Sequence, residues 1–254
     1  MSSVDLNADL GEGAGPGLSA VDAELLSLVT SANIACGFHA GGPLVMRATV
    51  AQAVSSGVVI GAHPGYPDRE GFGRRELNLS AEEVAAIVIY QVGALGGCCS
   101  AAGARVRYVK LHGALYNRAA CDAELARAVA QAVRSVDRRL ILLGLPGSAL
   151  LQAGETCGLR VAREAYLDRA YKSDGTLVSR QTPGSVLDDV AAVVERGVLM
   201  ATEGTVVAND GTRIAIRAES LCVHGDSPNS ATMLRELRPR LQREGITLAS
   251  FTPQ

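Results

Sequence analysis

The chain has 254 residues, of which 48% are hydrophobic and 20% charged, and 24 basic side chains nearly balance 26 acidic ones. These proportions are those of an ordinary globular protein and exclude a disordered chain. A formal net charge of −2 leaves no basic excess for a phosphate backbone. We therefore expect small molecules or proteins as partners, and no nucleic acid.

Cysteine usage and the N-terminal residues favour a cytoplasmic protein. The six cysteines include no Cys-x-x-Cys pair, which excludes the usual zinc-ribbon and redox spacings and favours a reducing compartment. The first residues lack the basic and apolar regions of a signal peptide. We also expect no apolar run of the roughly 18 residues that a bilayer requires, and hence no membrane contact.

Short apolar runs alternate with longer amphipathic stretches along the whole chain, without a linker between them. The apolar runs predict seven strands, at residues 4–9, 32–37, 58–63, 106–112, 140–144, 160–164 and 221–224. Strands that alternate with helices are typical of parallel sheets with right-handed crossovers. We therefore predict one α/β domain over residues 1–254, closed into a parallel β/α barrel.

Helix boundary signals occupy the gaps between these strands. Pro43 suits the first turn of a helix over residues 44–55, and Gly57 suits its end. The sequence from Ser80 to Glu83 is a capping box that begins a long helix.

Two further helices are expected to begin at Asp122 and Pro228. Residues 205–216 break the alternation and predict a β-hairpin outside the barrel, with its turn at residues 209–211.

All four histidines, His39, His63, His112 and His224, fall at the C-terminal end of a predicted strand. Active sites of parallel α/β proteins form at that edge, from the loops that leave the strands. A single histidine there is more often a structural hydrogen-bonding residue than a catalyst, whereas four on one rim favour a functional site.

Three polar residues of the first strand, Asp5, Asn7 and Asp9, share the face predicted to point inward. Buried without partners, such groups would each cost several kcal/mol, so they require hydrogen bonds, an ion or a substrate. Asp9, His39 and His63 would supply a carboxylate and two imidazoles, a common set of divalent-metal ligands in hydrolases. No His-Glu-x-x-His motif is present, so a metal-free proton-transfer site stays equally open.

Lys110 is one of only two lysines, and it shares the inner face of the fourth predicted strand with Tyr108 and His112. A desolvated lysine can act as an acid, a base or an electrostatic stabiliser. An ion pair with a buried acid such as Asp9 or Glu164 explains its position equally well.

The glycine-rich loop at residues 11–17 follows the first strand, where backbone amides could hold an anion. It has neither the Walker A nor the Gly-x-Gly-x-x-Gly spacing, so a turn is favoured over a nucleotide site. A Gly-x-Ser-x-Gly elbow is also absent, which argues against a covalent acyl-enzyme.

Several longer blocks of the sequence resemble the family of bacterial 5-oxoprolinase A subunits. They are DLNADLGE at 5–12, SANIACGFHAG at 31–41, IGAHPGYPD at 60–68, GFGRR at 71–75, KLHGALYN at 110–117, DR at 168–169, DGTLVSR at 174–180 and CVHGD at 222–226. The resemblance implies a distorted seven-stranded β/α barrel and ATP-dependent opening of 5-oxoproline to glutamate. It also implies that the chain functions in a complex with two partners, the B and C subunits of 5-oxoprolinase. ATP would be a cosubstrate of this complex. A divalent metal and a homo-oligomer remain open.

The resemblance and the strand pattern together define a candidate site. The candidate catalytic residues are Asp9, His39, His63, Lys110 and His112, and the candidate metal ligands are Asp9, His39 and His63. The candidate substrate-binding residues are Asn7, Arg74, Asn117, Glu164, Arg169, His224 and Asp226. Asp9 or a rim histidine is expected to be the base, His112 the proton donor and Lys110 the charge stabiliser. Arg169 or Arg74 is expected to hold the substrate carboxylate.

Two other functions stay open on the sequence alone. A metal-dependent deacetylase or carbohydrate hydrolase would also place acids and histidines on a barrel rim, and it would act without ATP. A non-catalytic regulatory or sugar-binding subunit would bind a ligand without turnover.

Overall fold

The computed structural model describes residues 3–13, 15, 17–227 and 229–252. The elements in chain order are β1 (Ser3–Leu10), α1 (Ala20–Leu26), β2 (Ser31–Ala35), α2 (Pro43–Ser55), β3 (Val59–His63), α3 (Ala81–Ala101), β4 (Tyr108–Lys110), α4 (Gly113–Cys121), α5 (Ala123–Val136), β5 (Ile141–Gly144), α6 (Ala149–Thr156), β6 (Arg160–Tyr166), α7 (Val190–Thr202), β7 (Thr205–Val207), β8 (Arg213–Ala215), β9 (Ser220–Val223), α8 (Ser230–Arg243) and β10 (Thr247–Leu248).

Among the described residues, seven parallel strands close into a barrel in the order β1-β2-β3-β4-β5-β6-β9. Closure occurs where β9 pairs with both β6 and β1, so that Ser220 lies opposite Glu164 on one side and Asp5 on the other. The predicted parallel β/α barrel is therefore confirmed. A short strand that the sequence did not indicate, β10, pairs with the first residues of β1.

Two predicted strands end two residues earlier in the structure than predicted. The second ends at Ala35 and not at residue 37, because Gly37 turns the chain with a φ of 91°. The fourth spans only Tyr108–Lys110, and His112 instead becomes the N-cap residue of α4. The sixth strand is longer than predicted and extends to Tyr166.

The helix boundary signals correspond to the observed ends. Ser80 and Glu83 make both hydrogen bonds of a capping box at the start of α3. The Asp122 carboxylate accepts hydrogen bonds from the first backbone amides of α5. Pro228 lies outside the described residues, and α8 begins at Ser230. Residues 205–216 contain the antiparallel pair β7 and β8, which stands apart from the barrel sheet.

Helix α3 is longer and more apolar than expected from the sequence. It is the one helix in the described part of the chain that is long and apolar enough to cross a membrane by length and composition alone, with a mean hydropathy of 1.7. The expectation that no apolar run reaches this length was therefore wrong. One face of α3 is buried through residues such as Val84, Val88, Val92 and Leu95, as in a helix that covers a barrel.

The first barrel strand, β1, is apolar on its outer side and polar inside. Leu6, Ala8 and Leu10 of β1 point outward and belong to the main hydrophobic core between strands and helices. Asp5, Asn7 and Asp9 alternate with them and are also buried. The interior therefore contains a column of hydrogen-bonding groups, which the sequence alternation predicted for β1.

Asp5 begins this column near the N-terminal end of the barrel. Its carboxylate accepts hydrogen bonds from Thr30 Oγ1 at 2.5 Å, from Ser31 Oγ at 2.6 Å and from the Ser220 hydroxyl. Burial nevertheless raises the pKa of Asp5 from 3.8 to about 6. The cost of burying the charged form thus exceeds the gain from three hydroxyl donors.

This shift predicts a pH-dependent contribution to stability. A group whose pKa is raised in the folded state stabilises the fold below its unfolded pKa, and this stability is lost as pH rises through the folded pKa. Between about pH 4 and pH 7, the free energy of unfolding of the wild type should fall relative to that of Asp5→Asn by about 2 kcal/mol. Urea denaturation of both proteins across this range measures the difference, and a pH-independent difference would contradict the assignment.

Candidate functional site

The four histidines lie in two places at the C-terminal mouth of the barrel. His63 ends β3, and His39 and His112 lie in the segments that follow β2 and β4. The rings of His39 and His112 stack with centroids 3.8 Å apart, and His63 stands edge-on to both. His224 follows β9 and lies apart from this cluster, stacked on Tyr166 with centroids 5.0 Å apart.

The loop after β2 brings His39 into the cluster. The Arg69 guanidinium donates two hydrogen bonds of 2.6 Å to this loop. Their acceptors are the carbonyl oxygens of Gly37 and Gly41, which lie on either side of His39 in the sequence. Gly73 packs against the rings, and a Cβ atom at this position would lie 2.8 Å from the Cβ of His39. The inward orientation of His39 therefore depends on these loop contacts, because β2 has already ended.

His63 and His112 have defined ring orientations. His63 Nδ1 lies 2.8 Å from the carbonyl oxygen of Lys110, and His112 Nε2 lies 2.8 Å from that of Phe72. Because a carbonyl oxygen only accepts, these nitrogens carry the protons of the neutral rings. Lone pairs then remain on His63 Nε2 and His112 Nδ1, which face each other at 3.0 Å. This arrangement requires a proton or a cation at that position.

Glu12 completes the cluster, although it was not among the predicted site residues. Its Oε1 atom lies 3.2 Å from His39 Nε2 and 3.4 Å from His112 Nδ1. One potential ligand atom from each of Glu12, His39, His63 and His112 lies within 4.8 Å of the others. The sequence signal for Glu12 was an acid in the loop that leaves β1 at the barrel mouth.

Asp9 connects this cluster to Lys110. Its Oδ2 atom lies 3.4 Å from His63 Nε2, and its Oδ1 atom lies 3.0 Å from Lys110 Nζ. Asn33 also donates a hydrogen bond of 2.7 Å to Asp9 Oδ1. Of the three metal ligands expected from the sequence, His39 and His63 are thus in the group of four, whereas Asp9 lies beside it.

Lys110 is buried at the centre of the polar column. Its Nζ atom lies 3.0 Å from Asp9 Oδ1, 3.1 Å from Glu164 Oε2 and 3.0 Å from Cys222 Sγ. Asn7 Oδ1 is a further acceptor at 3.4 Å. The ion pair considered from the sequence is present, and it leaves the ammonium group positioned just below the histidines.

The surroundings of the mouth shift the pKa values of its two acids in opposite directions and raise that of the lysine. Burial, followed by repulsion from Asp9, raises the pKa of Glu12 well above its usual value. Burial alone would also raise the pKa of Asp9, but His63 and Lys110 outweigh it and hold that pKa well below its usual range. Burial opposes the charge on Lys110 too, yet Asp9, Cys222 and Glu164 raise its pKa well above normal. An ionised acid and an ammonium group therefore coexist here.

The stacked histidines favour their neutral forms. Burial lowers the pKa of His39 well below its usual value, and the neighbouring His63 adds to this effect. The pKa of His112 is likewise lowered by burial and by the two other imidazoles. Neutral imidazoles are the form that binds a metal ion.

His224 and Asp168 form a separate pair on the opposite side of the mouth. Asp168 is fully buried, and its carboxylate oxygens lie 2.9 and 3.1 Å from His224 Nδ1. It also accepts hydrogen bonds from the His224 backbone amide and the Ser227 hydroxyl. The described residues provide no partner for His224 Nε2, so this nitrogen is available to a ligand.

The remaining predicted residues are dispersed around the mouth. Arg74 reaches Asp226 with a contact of 2.5 Å, and its guanidinium lies over the Phe72 ring. Arg169 instead donates to the backbone carbonyl oxygens of Ser185 and Val178. Asn117 is exposed on α4, and no contact between it and the cluster is found in the described part of the chain.

Comparisons with known proteins give the family. The LamB/YcsF family model matches residues 4–254. The 5-oxoprolinase A subunit of Photorhabdus laumondii is 52% identical over 251 residues, which cover 99% of this chain and 100% of that protein. The 5-oxoprolinase A subunit of Agrobacterium fabrum is 51% identical and covers 99% of this chain and 98% of its own length.

A solved structure agrees with these sequence matches. The lactam utilization protein from Thermus thermophilus has 45% sequence identity and a TM-score of 0.91, and the match covers 98% of this chain and 100% of that one. The resemblance stated from the sequence blocks is confirmed, and the chain belongs to the LamB/YcsF family.

Proposed function

We propose that this chain is the A subunit of a 5-oxoprolinase that hydrolyses the ring of 5-oxo-L-proline to L-glutamate, coupled to the conversion of ATP to ADP and phosphate. The observation that carries the proposal is the match, over 99% of this chain, to relatives named as 5-oxoprolinase A subunits. The polar mouth supports it, because it combines an acid, an ammonium group and an accessible imidazole near one point.

The coupling to ATP follows from the chemistry of the substrate. An amide resists water because its carbonyl group is stabilised by resonance and the amine is a poor leaving group. Transfer of the γ-phosphoryl group to the lactam oxygen would remove much of this resonance. The chain has no Walker A loop, so we assign nucleotide binding wholly or partly to the partner B and C subunits and place the complex in the cytoplasm.

Asp9 and Lys110 have the positions needed at the lactam carbon. Asp9 is held ionised between Lys110 and His63 and would accept the proton of the attacking water. The Lys110 ammonium group would stabilise the negative charge that develops on oxygen. Its pairing with Asp9 and Glu164 keeps it charged and in place before substrate arrives.

His224 is better placed than His112 to protonate the ring nitrogen as the ring opens. Both ring nitrogens of His112 have partners, His63 and Phe72. His224 is held through Nδ1 by Asp168, and its Nε2 is without a partner among the described residues. An acid that orients one imidazole nitrogen and leaves the other free is the usual arrangement of a proton-transfer pair. We therefore assign the donor role, expected for His112, to His224.

The cluster of Glu12, His39, His63 and His112 fits a divalent transition-metal ion. Three imidazole nitrogens and a carboxylate oxygen converge there, and backbone carbonyls hold the opposite nitrogens of His63 and His112, as in many metal sites. A cation would also relieve the contact between two lone pairs at 3.0 Å. When bound, it would supply Lewis acidity near the reacting carbonyl.

Substitution of the acid and the lysine tests the proposed activity. In the assembly with the B and C subunits and ATP, Asp9→Asn and Lys110→Met should each lower kcat for glutamate release by about 100-fold or more, because the base or the oxyanion stabiliser is lost. Lys172→Met, at the other and exposed lysine, is the matched control. Wild-type turnover in both site variants would contradict the proposal, and turnover without ATP would favour the deacetylase-type alternative.

The His224 assignment predicts non-additive kinetics. His224→Ala should lower kcat by about 100-fold or more with little change in KM. Asp168→Asn should lower kcat as well, and the double variant should be no slower than His224→Ala, because Asp168 acts through His224. Fully multiplicative effects, or a larger loss in His112→Ala than in His224→Ala, would reject this assignment.

Metal binding has a readout that is independent of turnover. After equilibration with Co²⁺ and removal of free metal, the wild type should retain about one ion per chain with a visible ligand-field spectrum. His63→Ala and Glu12→Gln should lose both signals, whereas His224→Ala should keep them because His224 lies outside the cluster. If the wild type retains no Co²⁺, a shared proton between His63 and His112 replaces the metal.

A further inference from the structure

Two guanidinium groups approach one carboxylate at the mouth of the barrel, and a third lies nearby. Arg74 Nη2 lies 2.5 Å from Asp226 Oδ2, and Arg180 Nη1 lies 3.7 Å from the same oxygen. Arg169 follows Asp168 at the end of β6, close enough for Arg180 and Arg74 to contribute to the lowering of its pKa, after the larger effect of burial. Basic charge therefore exceeds acidic charge at this part of the mouth, an arrangement that favours an anionic ligand.

Arg169 is not available to such a ligand. Its Nε atom donates to the Ser185 carbonyl oxygen at 3.3 Å, and its Nη2 atom donates to the Val178 carbonyl oxygen at 2.6 Å. Arg196 in turn donates a hydrogen bond of 2.7 Å to the Arg169 carbonyl oxygen. The Arg169 side chain thus holds, through hydrogen bonds, the loop that carries Arg180. It acts as a positioning residue.

Arg180 has the opposite arrangement. It extends from this loop toward the mouth, and its Nη2 atom is buried without a hydrogen-bond partner among the described residues. A buried charged donor without an acceptor is costly, so an acceptor from a ligand would stabilise the site. Its neighbour Arg74 covers Phe72, whose ring packs edge-on against His39 and His112. Arg74 therefore lies one aromatic ring away from the histidine cluster, and Arg180 approaches the same Asp226 carboxylate as Arg74.

We propose that Arg180, together with Arg74, binds the carboxylate of a lactam acid and thereby selects carboxylated over uncharged lactams at the mouth. The inference rests on the proposed function, which it extends from the ring to the carboxylate of the substrate. The carboxylate of Asp226 already contacts both guanidiniums, which shows that this pair accepts a carboxylate group. Two guanidiniums and Asp226 leave one net positive charge, which matches a carboxylate monoanion better than a phosphoryl dianion.

The test compares two lactams in the assembly with the B and C subunits and ATP. Arg180→Gln should raise KM for 5-oxoproline by about 10- to 100-fold with little change in kcat, because a charge-assisted contact to the substrate is lost. Activity toward 2-pyrrolidinone, which has the ring without the carboxylate, should be the same in variant and wild type. Arg180→Lys should be intermediate, since it keeps the charge without the planar fork. Arg138→Gln, an exposed arginine that precedes β5 at the opposite end of the barrel, is the control.

Each result separates the two proposals. Absence of wild-type turnover would overturn the proposed function itself. Wild-type turnover with an unchanged KM for 5-oxoproline in Arg180→Gln would overturn the carboxylate site alone. A raised KM for ATP in place of 5-oxoproline would assign Arg180 to a phosphoryl group and also overturn it. Thermal unfolding of each variant identifies a loss of folding, in which case the KM of Arg180→Lys decides the outcome by the same criteria.

Discussion

The buried ammonium group of Lys110 is the constraint on which the interior of this barrel depends. It comes from β4 and lies within 3.1 Å of carboxylates from β1 and β6, so one side chain joins three strands across the lumen. An unpaired charge in this position would cost several kcal/mol, and so would either acid without the lysine. The three residues are therefore interdependent, and each requires the others to remain buried and charged.

This polar column is not the main source of stability. Replacing a buried ion pair by well-packed apolar groups is often neutral or stabilising, whereas removing one partner is destabilising. The apolar contacts that hold the fold together lie instead between the outward faces of the strands and the helices. In β1, one face packs against the helices and the other carries polar groups, so these polar groups do not interrupt the apolar packing.

The mouth contains two separate clusters of polar side chains. On one side, Glu12 and three histidines form a cluster whose lone pairs converge. On the other side, Asp168 contacts His224 Nδ1, and no residue in the described part of the chain contacts His224 Nε2. Arginines lie at the outer edge, near Asp226. The groups proposed for charge stabilisation, proton transfer and recognition of an anion therefore lie in separate parts of the mouth.

Much of this arrangement was determined by the sequence itself. The alternation of apolar and polar residues predicted the barrel strands, because side-chain direction in a strand depends only on local geometry. The position of the four histidines at the C-terminal ends of these strands predicted a site at the barrel mouth. Strand parity also placed Asp5, Asn7, Asp9 and Lys110 in the interior. The limits of local inference appear where a strand ends early, as at Gly37, since parity cannot orient His39 beyond that point.

Only the tertiary structure decided which of these residues act on one another. Glu12 joins the histidines, and Asp168 meets His224, through contacts between residues 27 and 56 positions apart in the chain. Arg169 and Arg180 lie near each other in the sequence, yet Arg169 donates to backbone carbonyls, whereas Arg180 Nη2 has no acceptor among the residues that the structure describes. Hydrogen-bond partners depend on where other segments place their acceptors, and no local pattern in the sequence carries that information.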